Sequence, residues 1–180
     1  MIDLAVLLPP AYLTAYALDH GFSTSFSYQL PAFLNAATVI GRGVPGFVAD
    51  KWGRFNVMII SALGSTASIL SLWMLASDNR ALLVTFTVIF GVFSGTAYSL
   101  TPVCVAQLCK AEDYATRYGT AYGIVSFATL IGNPIAGALI GQSGGYKGLI
   151  GFCGAVYSTS TILFILARVK GAGWKVLKAF

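Results

Sequence analysis

A single arginine, Arg42, interrupts the apolar run 25–48. An ionised side chain in hydrocarbon costs at least about 2.5 kcal/mol, so such a placement carries a functional hypothesis by default. The planar guanidinium fork can hold both oxygens of a carboxylate. Arg42 is therefore a candidate anion-binding or gating residue facing a central cavity. A snorkelling role competes with this. Asp50 lies eight residues further on, about 12 Å of helix, which leaves the guanidinium within partial reach of water. Asn35 in the same run, and Tyr98, Asn133 and Tyr157 in other apolar stretches, are uncharged polar groups. They could line the same cavity or make helix–helix hydrogen bonds.

Two patterns overlap around this arginine. Gly41, Gly43 and Gly46 spell G-x-G-x-x-G. A dinucleotide site would need a short strand before the glycines, a helix after them and an acid about 20 residues on. A helix-length apolar run precedes them instead, and no acid falls between Asp50 and Asp78. The glycines read better as close-packing and kink residues, helped by Pro45. Gly46, Asp50, Lys51, Gly53 and Arg54 form the second pattern, a charged turn closing the run. Asp50 could accept from backbone N–H groups there, Lys51 and Arg54 could pair with acids, helix ends or lipid phosphate, and Gly53 could adopt a left-handed conformation.

Other chemistry finds little support. One histidine and three cysteines without a C-x-x-C pair give no metal-ligand cluster. The cysteines, Cys104, Cys109 and Cys153, read as small buried hydrophobes. No G-x-S-G string accompanies an intramembrane histidine. His20 reads as a solvated turn residue. We expect no enzyme activity, no catalytic residues, no metal and no cofactor.

The elements that must position these residues follow from composition. Hydrophobic residues make up 57% of the 180-residue chain and charged residues 9%, against roughly 25% charged in soluble domains. The net charge of +5 is spread between apolar runs and not gathered on one face, which argues for a membrane and against nucleic acid. Six runs approach the roughly 20 residues a spanning helix needs: 1–18, 25–48, 57–76, 81–108, 120–140 and 148–169. The first is short and carries Asp3 and Pro9-Pro10. The connectors "DHGFST", "DKWGRFN", "SDNR", "KAEDYATR" and "QSGGYK" are short enough to force antiparallel neighbours. An all-α polytopic membrane protein follows, with residues 1–170 as one six-helix domain and 171–180 as a basic tail.

Lys51, Arg54, Lys110, Arg117, Arg168, Lys170, Lys175 and Lys178 fall on one side, whereas the other holds Arg80 and Lys147. Retention of positive charge in the cytoplasm puts both termini there. Trp52, Trp73 and Trp174 are expected near the interfaces. The pairs Gly91/Gly95, Gly119/Gly123 and Gly137/Gly141 have the spacing that lets helices approach closely in lipid. Asn133-Pro134 is an expected kink.

The turn Gly46-Phe47-Val48-Ala49-Asp50-Lys51-Trp52-Gly53-Arg54 resembles the G-x-x-x-D-[RK]-x-G-[RK] loop signature of the major facilitator superfamily. Phe55 replaces the usual further basic residue. The strings "YALDHGFSTSFSYQLPAFLNAATVIGRGVPGFVADKWGRFNVM" and "YGTAYGIVSFATLIGNPIAGALIG" resemble the second half of fungal monocarboxylate-transporter-like proteins. The resemblance implies helices seven to twelve of a twelve-helix transporter, arranged as two inverted three-helix repeats. The charged turn would then latch a cytoplasmic gate. In animal monocarboxylate transporters an aspartate stands four residues before a substrate-linked arginine. Here Arg42 keeps the arginine, but the aspartate position is Thr38, which cannot carry a proton.

The expected function is transport of a small solute, a monocarboxylate or other organic anion, by alternating access. The expected partners are that anion, the lipid bilayer, and either an N-terminal six-helix half or a second copy. The plasma membrane is the expected location. A truncated non-transporting or sensor-like membrane protein is the alternative.

Overall fold

The computed structural model describes residues 2–77, 79–141 and 145–172, with side chains described to residue 169. They form six helices. α1 spans Ile2–Asp19, α2 Thr24–Trp52, α4 Arg80–Gln107, α5 Ala111–Ile140 and α6 Gly145–Ala172. α3, Arg54–Ala67, continues into a π-helical segment, Ser68–Trp73. In that segment the Ser68 and Ser71 hydroxyls donate back to the carbonyls of Ser65 and Ala67, competing with the regular ladder. Five helices are long and apolar enough to cross a membrane. α1 is the exception, as its sequence suggested.

The helices run further than the apolar runs. The stretch "KAEDYATR" is not a connector: α5 begins at Ala111. Glu112 and Asp113 in its first turn complement the positive end of the helix dipole, and Asp113 pairs with Arg117 at 3.8 Å. At 30 residues, α5 is about 45 Å long and overshoots a hydrocarbon core of about 30 Å. Its charged first turns can therefore stand outside the core.

α2 and α4 form the tightest pair. A Cβ on Gly41 would collide with the Val92 carbonyl. A Cβ on Gly91 would lie 2.7 Å from the Ala37 Cβ, and one on Gly95 would lie 2.6 Å from the Thr38 carbonyl oxygen. Removing the side chains lets the backbones approach, and the Thr96 hydroxyl then reaches the Gly41 carbonyl at 3.1 Å. Gly91/Gly95 thus packs helices as expected. Gly119 and Gly123 face open space, while Gly137 faces the Tyr12 hydroxyl. α3 joins the other side of α4 through the Ser61 hydroxyl on the Phe93 carbonyl at 2.5 Å.

α1 packs against α2, α4, α5 and α6, with Ala5, Leu8, Leu13 and Ala17 fully buried. At the His20 end, Trp73 stacks on Phe86 at 5.0 Å, and Tyr16 meets Trp73 edge-on at 5.8 Å. Trp73 is therefore a buried core residue and not an interfacial anchor. Trp52 is exposed at the other end; Trp174 lies outside the described residues. Burial is uneven among the spans. Half of the most apolar window of α4 is buried, against 11% for α5. The exposed residues of α5 include Ile124, Phe127 and Leu130, and those of α2 include Val39, Ile40 and Phe47. These two helices offer apolar faces to lipid or to further helices.

Candidate functional site

Arg42 is exposed on α2, and its guanidinium carbon lies 5.4 Å from the centroid of the Tyr98 ring on α4. A cation on an aromatic face is held by the ring quadrupole, worth roughly 0.5–2 kcal/mol. The ring fixes one side of the guanidinium and can leave the other for a ligand. Asn35 is exposed two helical turns earlier on the same face, about 10 Å away along the axis. Tyr98 is half-buried.

Helix lengths set the depth of this site. Arg42 stands eighteen residues after the start of α2, and Tyr98 eighteen after the start of α4. Tyr122 stands eighteen before the end of α5, and Asp3 sixteen before the end of α1. Those helix ends all lie at the His20 side, so a rise of 1.5 Å per residue puts the four groups about 24–27 Å from it. Asp3 and Arg42 both lie within electrostatic reach of the Tyr98 phenol. The Asp3 charge also reaches Tyr122 of α5 and Tyr157 of α6. On α5, Tyr122 continues a ring ladder with Tyr118 at 4.4 Å and Tyr114 at a further 5.5 Å.

Sequence reasoning missed Asp3, which it treated only as a flaw in the first apolar run. The signal was the one that singled out Arg42: a charge among apolar residues. Asn133 does not join this layer. It lies seven residues from the end of α5, about 16 Å from the Tyr122 level. Its backbone carbonyl accepts from the Tyr12 hydroxyl at 2.8 Å. Tyr157 is fully buried among the rings of the core, edge-on to Phe90 at 6.0 Å. Thr38 is also buried, its hydroxyl donating to the Leu34 carbonyl at 2.7 Å.

The charged turn closes within one residue between α2 and α3. The Gly53 N–H donates to the Ala49 carbonyl at 3.0 Å, and the Gly53 carbonyl accepts from Val57 at 3.2 Å. The Gly53 φ of 89° is the left-handed region expected there. Asp50 pairs with the Arg54 guanidinium at 3.5 Å. This is the pairing with an acid expected of Arg54, in place of the backbone N–H donors also open to Asp50. Phe55 is buried, which explains an apolar residue at a position where the signature usually carries a base. Lys51 and Trp52 line a cavity of about 490 Å³ with Ile59, Ile60, Ile165 and Arg168.

The three glycines of the G-x-G-x-x-G string all lie within α2. Their backbone N–H groups therefore point along a helix and form no phosphate-binding loop. Only Gly41 packs closely; Gly43 and Gly46 face open space, correcting the expectation that all three do. At the far end His20 is half-buried rather than freely solvated. It stacks on Tyr16 at 4.1 Å, with its Nδ1 2.9 Å from the Tyr16 carbonyl oxygen.

Comparison with known proteins agrees with this architecture. The chain is 35% identical to the riboflavin transporter MCH5 of Saccharomyces cerevisiae, over 96% of this chain and 34% of that protein. It is 38% identical to an MFS-type transporter of Gibberella moniliformis, over 96% of this chain and 42% of the relative. It is 34% identical to the aspyridones efflux protein apdF of Emericella nidulans, over 93% of this chain and 34% of the relative. The chain thus spans well under half the length of these relatives. Residues 1–178 match the sequence model of the Major Facilitator Superfamily. With its apolar helices and charged turn, the chain belongs to the Major Facilitator Superfamily, a family of membrane transporters.

Proposed function

We propose that this chain is the C-terminal six-helix half of a secondary transporter for a small organic anion, a monocarboxylate in the simplest case, working by alternating access. The observation that carries the substrate class is Arg42, an exposed guanidinium on an apolar helix, backed on one side by Tyr98. A carboxylate can meet its free edge with two charge-assisted hydrogen bonds. Asn35 on the same helix face would contact the uncharged part of the solute. In this reading α1–α3 and α4–α6 are inverted repeats, and the exposed faces of α2 and α5 meet an N-terminal half or a second copy. The lysine and arginine distribution supports cytoplasmic termini, and the plasma membrane is the proposed location. Gly46, Asp50, Lys51, Gly53 and Arg54 then form the cytoplasmic latch. The Asp50–Arg54 pair can open and re-form because an exposed pair is worth about 1 kcal/mol or less.

Lactate uptake into liposomes carrying the chain joined to an N-terminal half tests the substrate class. Benzoate and pyruvate should inhibit competitively, while benzamide and riboflavin, which lack a carboxylate, should not. The name of the riboflavin-transporting relative makes that comparison informative. Equal inhibition by benzoate and benzamide would remove the anion assignment.

A further inference from the structure

The cavity beside the charged turn combines two chemistries. Its volume of about 490 Å³ is that of a small-molecule site. Lys51 and Arg168 bring two cations to it, and no acid lines it among the described residues. Asp50, the nearest carboxylate in sequence, is engaged with Arg54 at 3.5 Å. Ile59, Ile60 and Ile165 supply an apolar wall, and the exposed Trp52 ring joins them at the turn. The two parts lie at different depths. Lys51 and Trp52 end α2, and Arg168 stands four residues before the end of α6. α3 leaves the turn at Arg54, so Ile59 and Ile60 lie roughly 8–9 Å further in, and Ile165 lies about 4.5 Å deeper than Arg168. Ile60 and Ile165 are exposed, and exposed Leu63 and Ile162 continue that surface one turn deeper on α3 and α6. The cations thus stand at the helix ends, where a bilayer places its headgroups, and the isoleucines at the level of its outermost methylenes. α3 and α6 pack against each other and frame this groove, whereas Arg42 and Tyr98 belong to α2 and α4.

We propose that this groove binds one anionic phospholipid of the leaflet on the Lys51 side, its phosphate held by Lys51 and Arg168 and an acyl chain laid along Ile59, Ile60 and Ile165. The anion reading of Arg42 has no part in this inference. A guanidinium carries five donors, so Arg168 serves a phosphate oxygen alongside its protein contacts. Lys51 adds a compact point charge. A hydrophilic anion would leave the isoleucines wet, and a zwitterionic lipid brings its own cation beside the same phosphate. The chain's own tail is a poor occupant, since Lys170, Lys175 and Lys178 repeat the charge already present. Each cation at a membrane surface favours anionic lipid by about fivefold. Anionic lipids concentrate in the cytoplasmic leaflet, which is the Lys51 side in the proposed orientation.

The test measures binding of dioleoyl phosphatidylserine to the purified chain in neutral detergent, with native mass spectrometry counting the retained lipid. Dioleoyl phosphatidylcholine and glycerol phosphate are the comparison ligands. Wild type should hold phosphatidylserine about tenfold more tightly than phosphatidylcholine, and an equimolar excess of glycerol phosphate should displace neither. Lys51→Gln should weaken phosphatidylserine about fivefold and leave the lipid-free melting temperature unchanged, because Lys51 is exposed. Ile60→Trp, also at an exposed position, fills the groove and should weaken both lipids together. Lys175→Gln with Lys178→Gln should stay within about twofold of wild type, since the tail cations take no part. Equal retention of the two lipids, or wild-type binding by both Lys51→Gln and Arg168→Gln, would overturn the proposal. Displacement by glycerol phosphate would make this a free-phosphate site, and loss of the preference in the tail variant would move the attraction to the tail. Either result would overturn it as well.

Discussion

Gly41→Leu is expected to prevent the six-helix unit from folding, whereas Gly43→Leu two residues later is expected to be tolerated. At Gly41 the atom in the way is the Val92 carbonyl on α4. A backbone group cannot escape by changing rotamer, so the two helices would have to separate. Separation would also break the bond from the Thr96 hydroxyl to the Gly41 carbonyl and open the gaps beside Gly91 and Gly95. Overpacking ordinarily costs about 1–3 kcal/mol. Loss of the tightest helix pair should exceed that. At Gly43 nothing lies within 4 Å of an added Cβ. Thermal melting and size-exclusion profiles of the purified variants in detergent would check this. A Gly41→Leu protein that melts with wild type would contradict so close an α2–α4 contact.

Arg42→Ala is expected to reduce anion uptake by the complete transporter by about 30-fold or more, because truncating one partner of a desolvated charge pair typically costs about 2–5 kcal/mol. Arg42→Lys should lie between, keeping the charge while losing the fork that grips two oxygens. Arg42→Lys should leave the melting temperature nearly unchanged and Arg42→Ala should lower it by only a few degrees, since the side chain is exposed, makes no ion pair among the described residues and loses only its contact with the Tyr98 ring. Initial rates of lactate uptake, normalised to inserted protein, provide the check. Equal rates for Arg42→Ala and wild type would reduce Arg42 to a snorkelling residue.

Much of the fold could be read from the sequence because lipid imposes a blunt rule: every spanning backbone must satisfy its own hydrogen bonds, so long apolar runs become helices. Boundaries were less readable. The charged turns at 111–119 continue α5 because helix formation does not stop where hydrocarbon stops. Spacing also does not tell which face of a helix a residue occupies. Gly91/Gly95 and Gly119/Gly123 look alike as strings, yet only the first pair faces another helix. Trp73 has the position of an interfacial anchor but turns inward through the π-helical segment onto Phe86.

The site divides in the same way. Gly53 was readable because a one-residue turn between helices demands a positive φ. The partner of Asp50 was not, since Arg54 and the backbone N–H groups are equally near in sequence. Arg42 stood out as a charge among apolar residues, while Asp3, with the same property, was hidden by its place in the weakest run. The meeting of Arg42 with Tyr98 joins residues 56 positions apart in sequence, a contact that depends on how α2 and α4 pack and not on either string alone.

In the proposed function this six-helix unit supplies one half of a transport pathway, completed by an N-terminal half or by a second copy. Uptake of labelled lactate into liposomes by the chain alone, set against the same chain joined to an N-terminal six-helix half, tests that most directly. The joined protein should show saturable uptake that Arg42→Ala removes, while the chain alone should match empty liposomes if an N-terminal half is the partner and transport as a dimer if a second copy is. Uptake by the chain alone as a monomer, or none by a correctly inserted joined protein, would contradict it.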